Sequence, residues 1–299
     1  MKYKFFTCDV FTRMRFGGNQ LAVLPDAAGL SSRQMQRIAH EFNYSETTFV
    51  LPAEAGKTRK VRIFTPASEV PFAGHPNIGT AFVLAAMGEF GEIQEELTVI
   101  FEEESGFVPV TIHSGKDGNM WCELTAPQEL TLGEVVMPEI ASAALSLEAS
   151  DINTNVHPPR VAGVGLPFLI VELQNQDALE RARFNMQVME EFQERGITPD
   201  ILLYRRDSGE FDIRARMFAP LDGVPEDPAT GSANCALAAL LTHYDQAAAG
   251  EYSWRIAQGV EMGRPSILDA RTIKRKGQVT ATMIGGDCVM VSEGIIDVG

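Results

Sequence analysis

Two similar stretches decide the fold: RIFTPASEVP at Arg62–Pro71 and RMFAPLDGVP at Arg216–Pro225. Arg, Phe, Pro, Val and Pro recur in them at one offset, the 154 residues from 62 to 216. Just downstream, GHPNIGTAFVL at Gly74–Leu84 resembles GSANCALAALL at Gly231–Leu241 at an offset of 157, so the second copy holds three extra residues. Periods of roughly 20–50 residues would indicate a solenoid, whereas one period near half the chain predicts two similar lobes.

Two further pairs of segments extend the repeat. QLAVL at 20–24 has the apolar character of PFLIV at 167–171. VTIHSGKDGNMWCEL at 110–124 reads as a hairpin, and VTATMIGGDCVMVSE at 279–293 matches it in kind. We therefore expect a second hairpin near the end of the chain.

Each half reads as strands that lead into one apolar helix. Apolar and β-branched runs at 4–10, 22–24 and 47–51 predict strands. The helices predicted over Asn77–Met87 and Ala233–Tyr244 carry few charges, which is typical of buried helices. The fold class is therefore predicted as α+β, with two pseudo-symmetric, strand-rich lobes, each wrapped around a helix, and a cleft between them.

The two lobes are expected to meet near the middle of the chain. We assign residues 1–127 to the N-terminal lobe and residues 128–299 to the C-terminal lobe. The second assignment includes a bridge at 128–160, which holds a helix-like piece near Ile140–Ala149. Strands at the termini are allowed to cross from one lobe to the other.

Composition and charge exclude several classes of function. The 299-residue chain has a net charge of −15, which repels phosphate backbones and anionic membranes, so we expect no nucleic-acid and no membrane partner. No apolar run reaches the roughly 18 residues of a membrane span, and the start MKYKFFTCDVFT has no pattern of an export signal. Widely separated cysteines at 8, 122, 235 and 288 predict reduced thiols in a cytoplasmic protein without a metal site.

Two loops have the form of anion-binding sites. Gly74-His75 and Gly231-Ser232 each stand immediately before a predicted buried helix. The first N–H groups of a helix lack internal partners and carry partial positive charge. Two such ends facing one cleft can hold a carboxylate without Lys or Arg. The alternative interpretation is that these residues only form turns and caps.

Titratable residues lie beside both loops. His75 opens the first predicted helix, and Asp227 stands in EDPATGS ahead of the second. A capping histidine and a turn-forming aspartate are the alternatives for these two positions. Glu226 is a rival carboxylate to Asp227, and the sequence does not separate the two.

Glu46 is the third titratable candidate. It follows a helix predicted over Leu30–Phe42, whose Ser31 and Gln34 fit a capping box, and it enters the apolar strand TTFVL. In a dry cleft, desolvation would raise the pKa of its carboxyl and make it a general acid/base near neutral pH. An exposed glutamate at a strand edge is the alternative.

The chain resembles the PhzF-like phenazine-biosynthesis isomerase family, which has the diaminopimelate epimerase fold. The motifs that carry this resemblance, spread over nearly the whole chain, are DVFT at 9–12, GGNQLAV at 17–23, SETTFV at 45–50, PFAGHP at 71–76 and EDPATGSA at 226–233. The resemblance implies that each lobe is a strand-rich barrel around a central helix, with the active site between the lobes. It also implies a homodimer and no metal or organic cofactor.

The resemblance further implies a role for each motif residue. Glu46 is the implied principal acid/base, and His75 and Asp227 are implied to position or protonate the substrate. The implied substrate-binding residues are Gly74, Gly231, Ser232 and Asn19. The type reaction is the isomerisation of trans-2,3-dihydro-3-hydroxyanthranilate. Related epimerases place one thiol on each lobe, but here the aligned loops hold no cysteine.

The function predicted from the sequence is a cofactor-independent isomerase that shifts a proton within a small unsaturated carboxylate substrate. One alternative is an epimerase or racemase that uses carboxylate and imidazole in place of thiols. The other is a protein that binds a small acid without turning it over.

Overall fold

The computed structural model describes residues 1–115 and 119–299. It divides into two compact units, the first of residues 1–125 and 285–299 and the second of residues 126–284. The sequence had assigned 285–299 to the C-terminal lobe with the allowance that terminal strands can cross. These residues belong with the first unit because Cys288–Asp297 pairs antiparallel with Lys2–Val10.

The first unit is a sheet that closes on itself around one helix. Its elements are β1 (Lys2–Val10), β2 (Asn19–Leu24), α1 (Ser32–Phe42), β3 (Glu46–Leu51), β4 (Arg59–Phe64), β5 (Glu69–Val70), α2 (Gly74–Ala86), β6 (Glu96–Glu103), β7 (Gly106–Ser114), β8 (Met120–Thr125) and the end of β17 (Gln278–Asp297). Pairing runs from β1 through β2, β3, β4, β6, β7 and β8, and β17 pairs with both β8 and β1 to close the ring.

Helix α2 fills this ring, as its apolar sequence predicted. Every residue from Gly74 to Leu84 is buried, and the helix contacts β1, β2, β3, β7 and β8. Helix α1 instead covers the outer face of the sheet, where Met35 and Ile38 pack against Phe49. The predicted capping box of α1 is confirmed, since Ser31 and Gln34 bond to each other's backbone N–H groups.

The second unit repeats the order of the first. Its elements are β9 (Thr131–Val135), α3 (Pro138–Ala144), a 3₁₀ turn (Ala149–Asp151), β10 (Arg160–Gly163), β11 (Pro167–Glu172), α4 (Gln176–Arg181), α5 (Met186–Glu194), β12 (Ile201–Arg206), β13 (Ile213–Ala219), a 3₁₀ turn (Pro220–Asp222), β14 (Val224–Asp227), α6 (Gly231–Tyr244), β15 (Gly250–Gln258), β16 (Ser266–Arg275) and the start of β17.

The pairing directions of the two units match strand by strand. In the second unit, β10 and β11 pair antiparallel, β11 and β12 parallel, and β12 and β13 antiparallel. The first unit has the same sequence of directions across β1, β2, β3 and β4. Strand β15 runs parallel to β13, as β6 does to β4. The central helix α6 is buried from Ala233 to Thr242. The internal repeat predicted from the sequence is therefore confirmed, and the segment predicted as a bridge supplies β9, α3 and a 3₁₀ turn.

The register locates the three extra residues of the second copy. Ile63 pairs with Val70 across β4 and β5, and Met217 pairs with Asp227 across β13 and β14. The first members are 154 residues apart and the second members 157. The insertion therefore falls at the 3₁₀ turn between β13 and β14, and Val70 corresponds to Asp227 rather than to Val224 as the sequence match had it.

An ion pair occupies the same place in each unit. Arg62 donates Nε and Nη2 to the carboxylate of Glu69 at 2.7 and 2.6 Å. Arg216 donates the same atoms to Glu226 at 2.8 and 2.9 Å. This pairing assigns Glu226 a structural contact and leaves Asp227 as the carboxylate at the end of β14.

The hairpin expected at 279–293 is wrong, because this segment is part of one continuous strand, β17. Gly285 lies within this strand, where a Cβ would come within 2.4 Å of the Trp121 ring. Close approach, and not a change of direction, thus requires glycine at this position. The tight turn falls earlier, at Lys276-Gly277, where both residues have positive φ. Lys116–Gly118 of the matching segment lie outside the described residues.

The two arginines allow a matched test of this framework. Arg216 is 5% exposed and also donates to the carbonyls of Leu179 and Ala182, whereas Arg62 is 21% exposed. We expect Arg216→Ala to lower the free energy of unfolding by about 3–5 kcal/mol, because it strands a largely buried carboxylate. Arg62→Ala should cost about 1 kcal/mol, as for an exposed pair. Urea denaturation measures both, and equal losses would contradict the assignment.

Candidate active site

Glu46 is the first residue of β3, and its side chain points toward the central helix of the first unit. Side chains alternate along a strand, and Thr48 on the same face lies with its Oγ1 2.8 Å from Oγ1 of Thr80 on α2. Phe49 on the opposite face packs in the outer cluster with α1. The Glu46 carboxyl therefore reaches the start of α2, where Oε2 lies 3.4 Å from Nε2 of His75.

Burial gives the Glu46 carboxyl an unusual protonation equilibrium. Its side chain is 18% exposed, and Oε2 is buried and accepts no hydrogen bond. Desolvation raises the pKa of Glu46 from 4.5 to about 7. Near neutral pH the group is thus present both as an acid and as a base, which suits it to proton transfer.

His75 and Asn19 complete a set of four side chains that we call the Glu46 cluster: Asn19, Ser45, Glu46 and His75. His75 is the second residue of α2 and is 5% exposed. Asn19, the first residue of β2, is 1% exposed. Its Nδ2 lies 3.3 Å from Nδ1 of His75, and its Oδ1 accepts a hydrogen bond of 2.9 Å from Ser45.

Both central helices start at the predicted glycines. Gly74 and Gly231 are the first helical residues, whereas the sequence had placed them just before the helix. The residue before each glycine makes no side-chain capping bond. Instead, Asn77 and Asn234 each donate Nδ2 to the carbonyl four residues back, both at 2.9 Å. An asparagine side chain thus closes the first turn of each helix. The first N–H groups of both helices have no side-chain cap.

Asp227 is held in the second unit by a network that the sequence did not predict. Thr230 Oγ1 donates to Oδ2 of Asp227 at 2.5 Å, and Gln258 Nε2 donates to the Asp227 carbonyl at 2.8 Å. Gln258 also donates to Thr230 Oγ1 at 3.2 Å, so the hydroxyl proton of Thr230 is directed at Asp227. Gln258 is fully buried at the end of β15, where no local motif distinguishes it.

The structure therefore groups the predicted site residues into two sets, one in each unit. Those in the first unit are Asn19, Glu46, Gly74 and His75, and those in the second are Asp227, Gly231 and Ser232. Ser232, the second residue of α6, takes the position in the repeat that His75 has on α2. Each set thus contains a glycine at the start of a central helix, but the next side chain is an imidazole in the first set and a hydroxyl in the second.

Asp200 is a half-buried residue that the sequence analysis missed. Thr47 pairs with Phe64 and Ile201 pairs with Phe218, both related by the 154-residue offset, so Asp200 corresponds to Glu46. Its Oδ1 is buried without a hydrogen bond. Burial, followed by the neighbouring carboxyl of Asp222, raises the pKa of Asp200 from 3.8 to about 7. The second unit thus keeps a carboxyl of raised pKa at this position but has no imidazole beside it.

The cysteines have the surroundings of structural thiols. All four are buried and none forms a disulfide. Burial raises the pKa of Cys8, Cys122 and Cys288 far above the ordinary value, so these thiols stay protonated and are poor nucleophiles. Over residues 1–115 and 119–299, no three His, Cys, Asp or Glu side chains are arranged to hold a metal ion. In the same ranges no helix is both long and apolar enough to cross a bilayer.

Asp200 makes stability depend on pH in a direction that can be measured. Because its pKa rises from 3.8 to about 7 on folding, the folded state binds more protons between these values, and stability falls as pH rises through them. We expect Asp200→Asn to be more favourable for stability at pH 8 than at pH 5, by on the order of 1.4 kcal/mol for each unit of pKa shift, reduced by solvent screening. Urea titrations at both pH values measure this difference. An equal effect at both would contradict the burial argument.

Comparison with known proteins places the chain in a family. The model of the phenazine biosynthesis-like protein family, PhzC-PhzF, matches residues 8–294. The chain is 37% identical to an uncharacterized isomerase of Mesorhizobium japonicum over 96% of each chain. It is 34% identical to trans-2,3-dihydro-3-hydroxyanthranilate isomerase of Pseudomonas fluorescens, over 98% of this chain and 99% of that protein.

Solved structures support the predicted fold class. The PhzF-family phenazine biosynthesis protein of Bacillus anthracis superposes with a TM-score of 0.88 at 24% identity, over 99% of each chain. A hydroxyproline epimerase of Agrobacterium vitis superposes with a TM-score of 0.67 at 13% identity, over 99% of this chain and 91% of that one. These likenesses confirm an α+β fold of the epimerase type. The chain belongs to the phenazine biosynthesis-like protein family and is an isomerase.

Proposed function

We propose that this chain is a cofactor-independent isomerase that moves a proton within a small unsaturated carboxylic acid, with Glu46 as the acid/base. The observation that carries the proposal is the Glu46 carboxyl itself, which is 18% exposed, lies 3.4 Å from His75 and has its pKa raised to about 7. A single group with this pKa can take a proton and give one back at neutral pH.

The proposed reaction is balanced without an external proton or electron. The Glu46 carboxylate removes a proton from one carbon of the substrate, and the electron pair of that C–H bond moves into the unsaturated system. The carboxylic acid so formed then protonates a second carbon, which relocates the double bond and restores the carboxylate. No atom is oxidised or reduced overall, so the glutamate alone is sufficient for proton transfer.

The start of α2 and the start of α6 are each, taken separately, proposed as binding groups for an acidic group of a substrate. The first N–H groups of these helices carry partial positive charge and have no side-chain cap. The assigned residues are Gly74 in the first unit and Gly231 and Ser232 in the second. Asp227, with the Thr230 hydroxyl directed at it, is proposed to hold a polar substituent of the substrate.

An epimerase that uses carboxylate and imidazole is the second candidate function, and the geometry of the first unit argues against it. Such an enzyme needs a base on each face of one carbon. Glu46 Oε2 and His75 Nε2 lie only 3.4 Å apart, which leaves no room for a substrate carbon between them, since reacting atoms need about 3–3.5 Å on each side. This spacing therefore favours one acid/base group over two.

The proposal extends to the substrate class and the setting of the enzyme. The dihydro-hydroxyanthranilate named for the Pseudomonas fluorescens relative is the first substrate to test. We further propose a cytoplasmic location, since buried thiols without disulfides suit a reducing compartment, and a homodimer, as the family resemblance implies. A measured mass in solution tests the dimer.

Glu46→Gln tests the acid/base role. We expect kcat to fall by about 10²–10⁴-fold, the usual contribution of one positioned acid/base. The matched control is Asp200→Asn, which removes the corresponding carboxyl of the second unit and should leave kcat within about two-fold. Steady-state kinetics with the dihydro-hydroxyanthranilate measure both. Full activity in Glu46→Gln would overturn the assignment.

Reaction in D₂O separates isomerisation from the alternatives. We expect a product in which the double bond has moved and the receiving carbon carries hydrogen or deuterium delivered by Glu46. Proton and carbon NMR of the product measure both changes. Exchange with inversion at one carbon and an unmoved double bond would instead indicate an epimerase, and thermal stabilisation by the acid without any product would indicate a binding protein.

A further inference from the structure

We propose that Asn19 is a positioning residue that holds His75 as the neutral tautomer with its proton on Nε2, facing Glu46. This inference rests on the proposed function, because it gives His75 its state in the reaction of Glu46. It also replaces the assignment of Asn19 to substrate binding.

The two ends of the Asn19 amide have different partners. Ser45 Oγ donates to Oδ1 at 2.9 Å, which directs the other end, Nδ2, toward Nδ1 of His75 at 3.3 Å. An amide nitrogen can only donate a hydrogen bond, so Nδ1 must accept it through its lone pair. A neutral imidazole with a lone pair on Nδ1 carries its proton on Nε2. If Nδ1 carried a proton, its N–H group would point at the N–H group of Asn19 across the same 3.3 Å.

The backbone around Asn19 keeps its amide in place. Asn19 is 1% exposed and pairs with Val10 across β1 and β2. The preceding residue, Gly18, has a φ of +61°, and a Cβ there would come within 2.3 Å of the Val10 carbonyl oxygen. Strand β2 also runs parallel to β3, with Leu21 opposite Glu46. Asn19 on β2 and Glu46 on β3 therefore lie on two strands that pair with each other.

The tautomer determines what His75 presents to the carboxyl. With the proton on Nε2, an N–H group lies 3.4 Å from Oε2 of Glu46 and favours the ionised carboxylate that accepts the substrate proton. At this separation Oε2 still accepts no hydrogen bond, so it keeps a lone pair for the substrate. With the opposite tautomer, two lone pairs would face each other and the base form would be disfavoured.

The internal repeat gives independent support, because the amide and the imidazole occur together. The match of QLAVL with PFLIV makes Leu166 the counterpart of Asn19, and Ser232 is the counterpart of His75. Leu166 is 45% exposed and has no polar group in its side chain. The unit that lacks the imidazole thus also lacks the amide, as expected if the amide is present to orient the ring.

The tautomer can be measured without reference to activity. We would label the full chain with ¹⁵N-histidine and identify the His75 ring signals by their loss in His75→Gln. At neutral pH the wild-type ring should carry its proton on Nε2. Asn19→Asp replaces a donor by an acceptor of the same shape, and we expect the proton to appear on Nδ1. Asn155→Asp, at an exposed site far along the sequence, controls for the added charge.

Kinetics of the same variants add a second readout. Asn19→Asp should lower kcat at least about 10-fold with little change in KM, since a wrong tautomer can cost up to about 10⁴-fold in a histidine-dependent enzyme. A wild-type His75 protonated on Nδ1 or on both nitrogens would overturn the proposal, even if Asn19→Asp did not fold. A raised KM with an unchanged tautomer would return Asn19 to substrate binding. Full activity in Glu46→Gln would refute the proposed function and leave the tautomer measurement intact.

Discussion

The withdrawal of one carboxyl from water is the constraint on which the first unit depends. An ionised carboxylate is costly to bury without partners, and Oε2 of Glu46 is buried without a hydrogen bond. The closed ring of strands holds it there, because β3 begins beside the end of α2 that carries His75. Helix α2 can occupy the interior because nearly all its residues are apolar or small. The raised pKa is therefore a consequence of the architecture and not of one neighbouring charge.

Comparison of the two repeated units distinguishes the residues that both keep from those that occur beside the carboxyl in the first unit alone. Both units keep the Arg–Glu pair, the asparagine that closes the first helical turn and a carboxyl with a raised pKa at the start of the third strand. Only the first unit adds the imidazole and the amide. In the second, the carboxyl of Asp200 faces Asp222, which stands at the three-residue insertion. A small insertion has thus given the equivalent carboxyl a different neighbour.

Sequence reasoning succeeded where the information is local and failed where it lies across strands. The capping box at Ser31 and the buried central helices follow from residue type and spacing. The choice between Glu226 and Asp227 needed the partner Arg216, which lies ten residues earlier on the neighbouring strand. Gln258 and Asp200 stand in no motif: hydrogen bonds reveal the role of Gln258, and strand pairing reveals the position of Asp200. The segment 279–293 was misread because its likeness to 110–124 does not distinguish a glycine that admits an aromatic ring, as Gly285 does, from one that makes a turn.

The asymmetry of the two units bears on the type of chemistry that the fold supports. A reaction that removes a proton and returns it elsewhere on the same face of a substrate needs one group that can exist in both protonation states. A pKa of about 7 provides this for Glu46, and a fixed neutral imidazole adds a donor without adding a competing charge. Inversion at a single carbon would instead require a second base on the opposite face of that carbon, and His75 Nε2 lies only 3.4 Å from Glu46 Oε2. The addition of an imidazole beside the carboxyl in one unit alone therefore supports the proposed transfer by a single acid/base group.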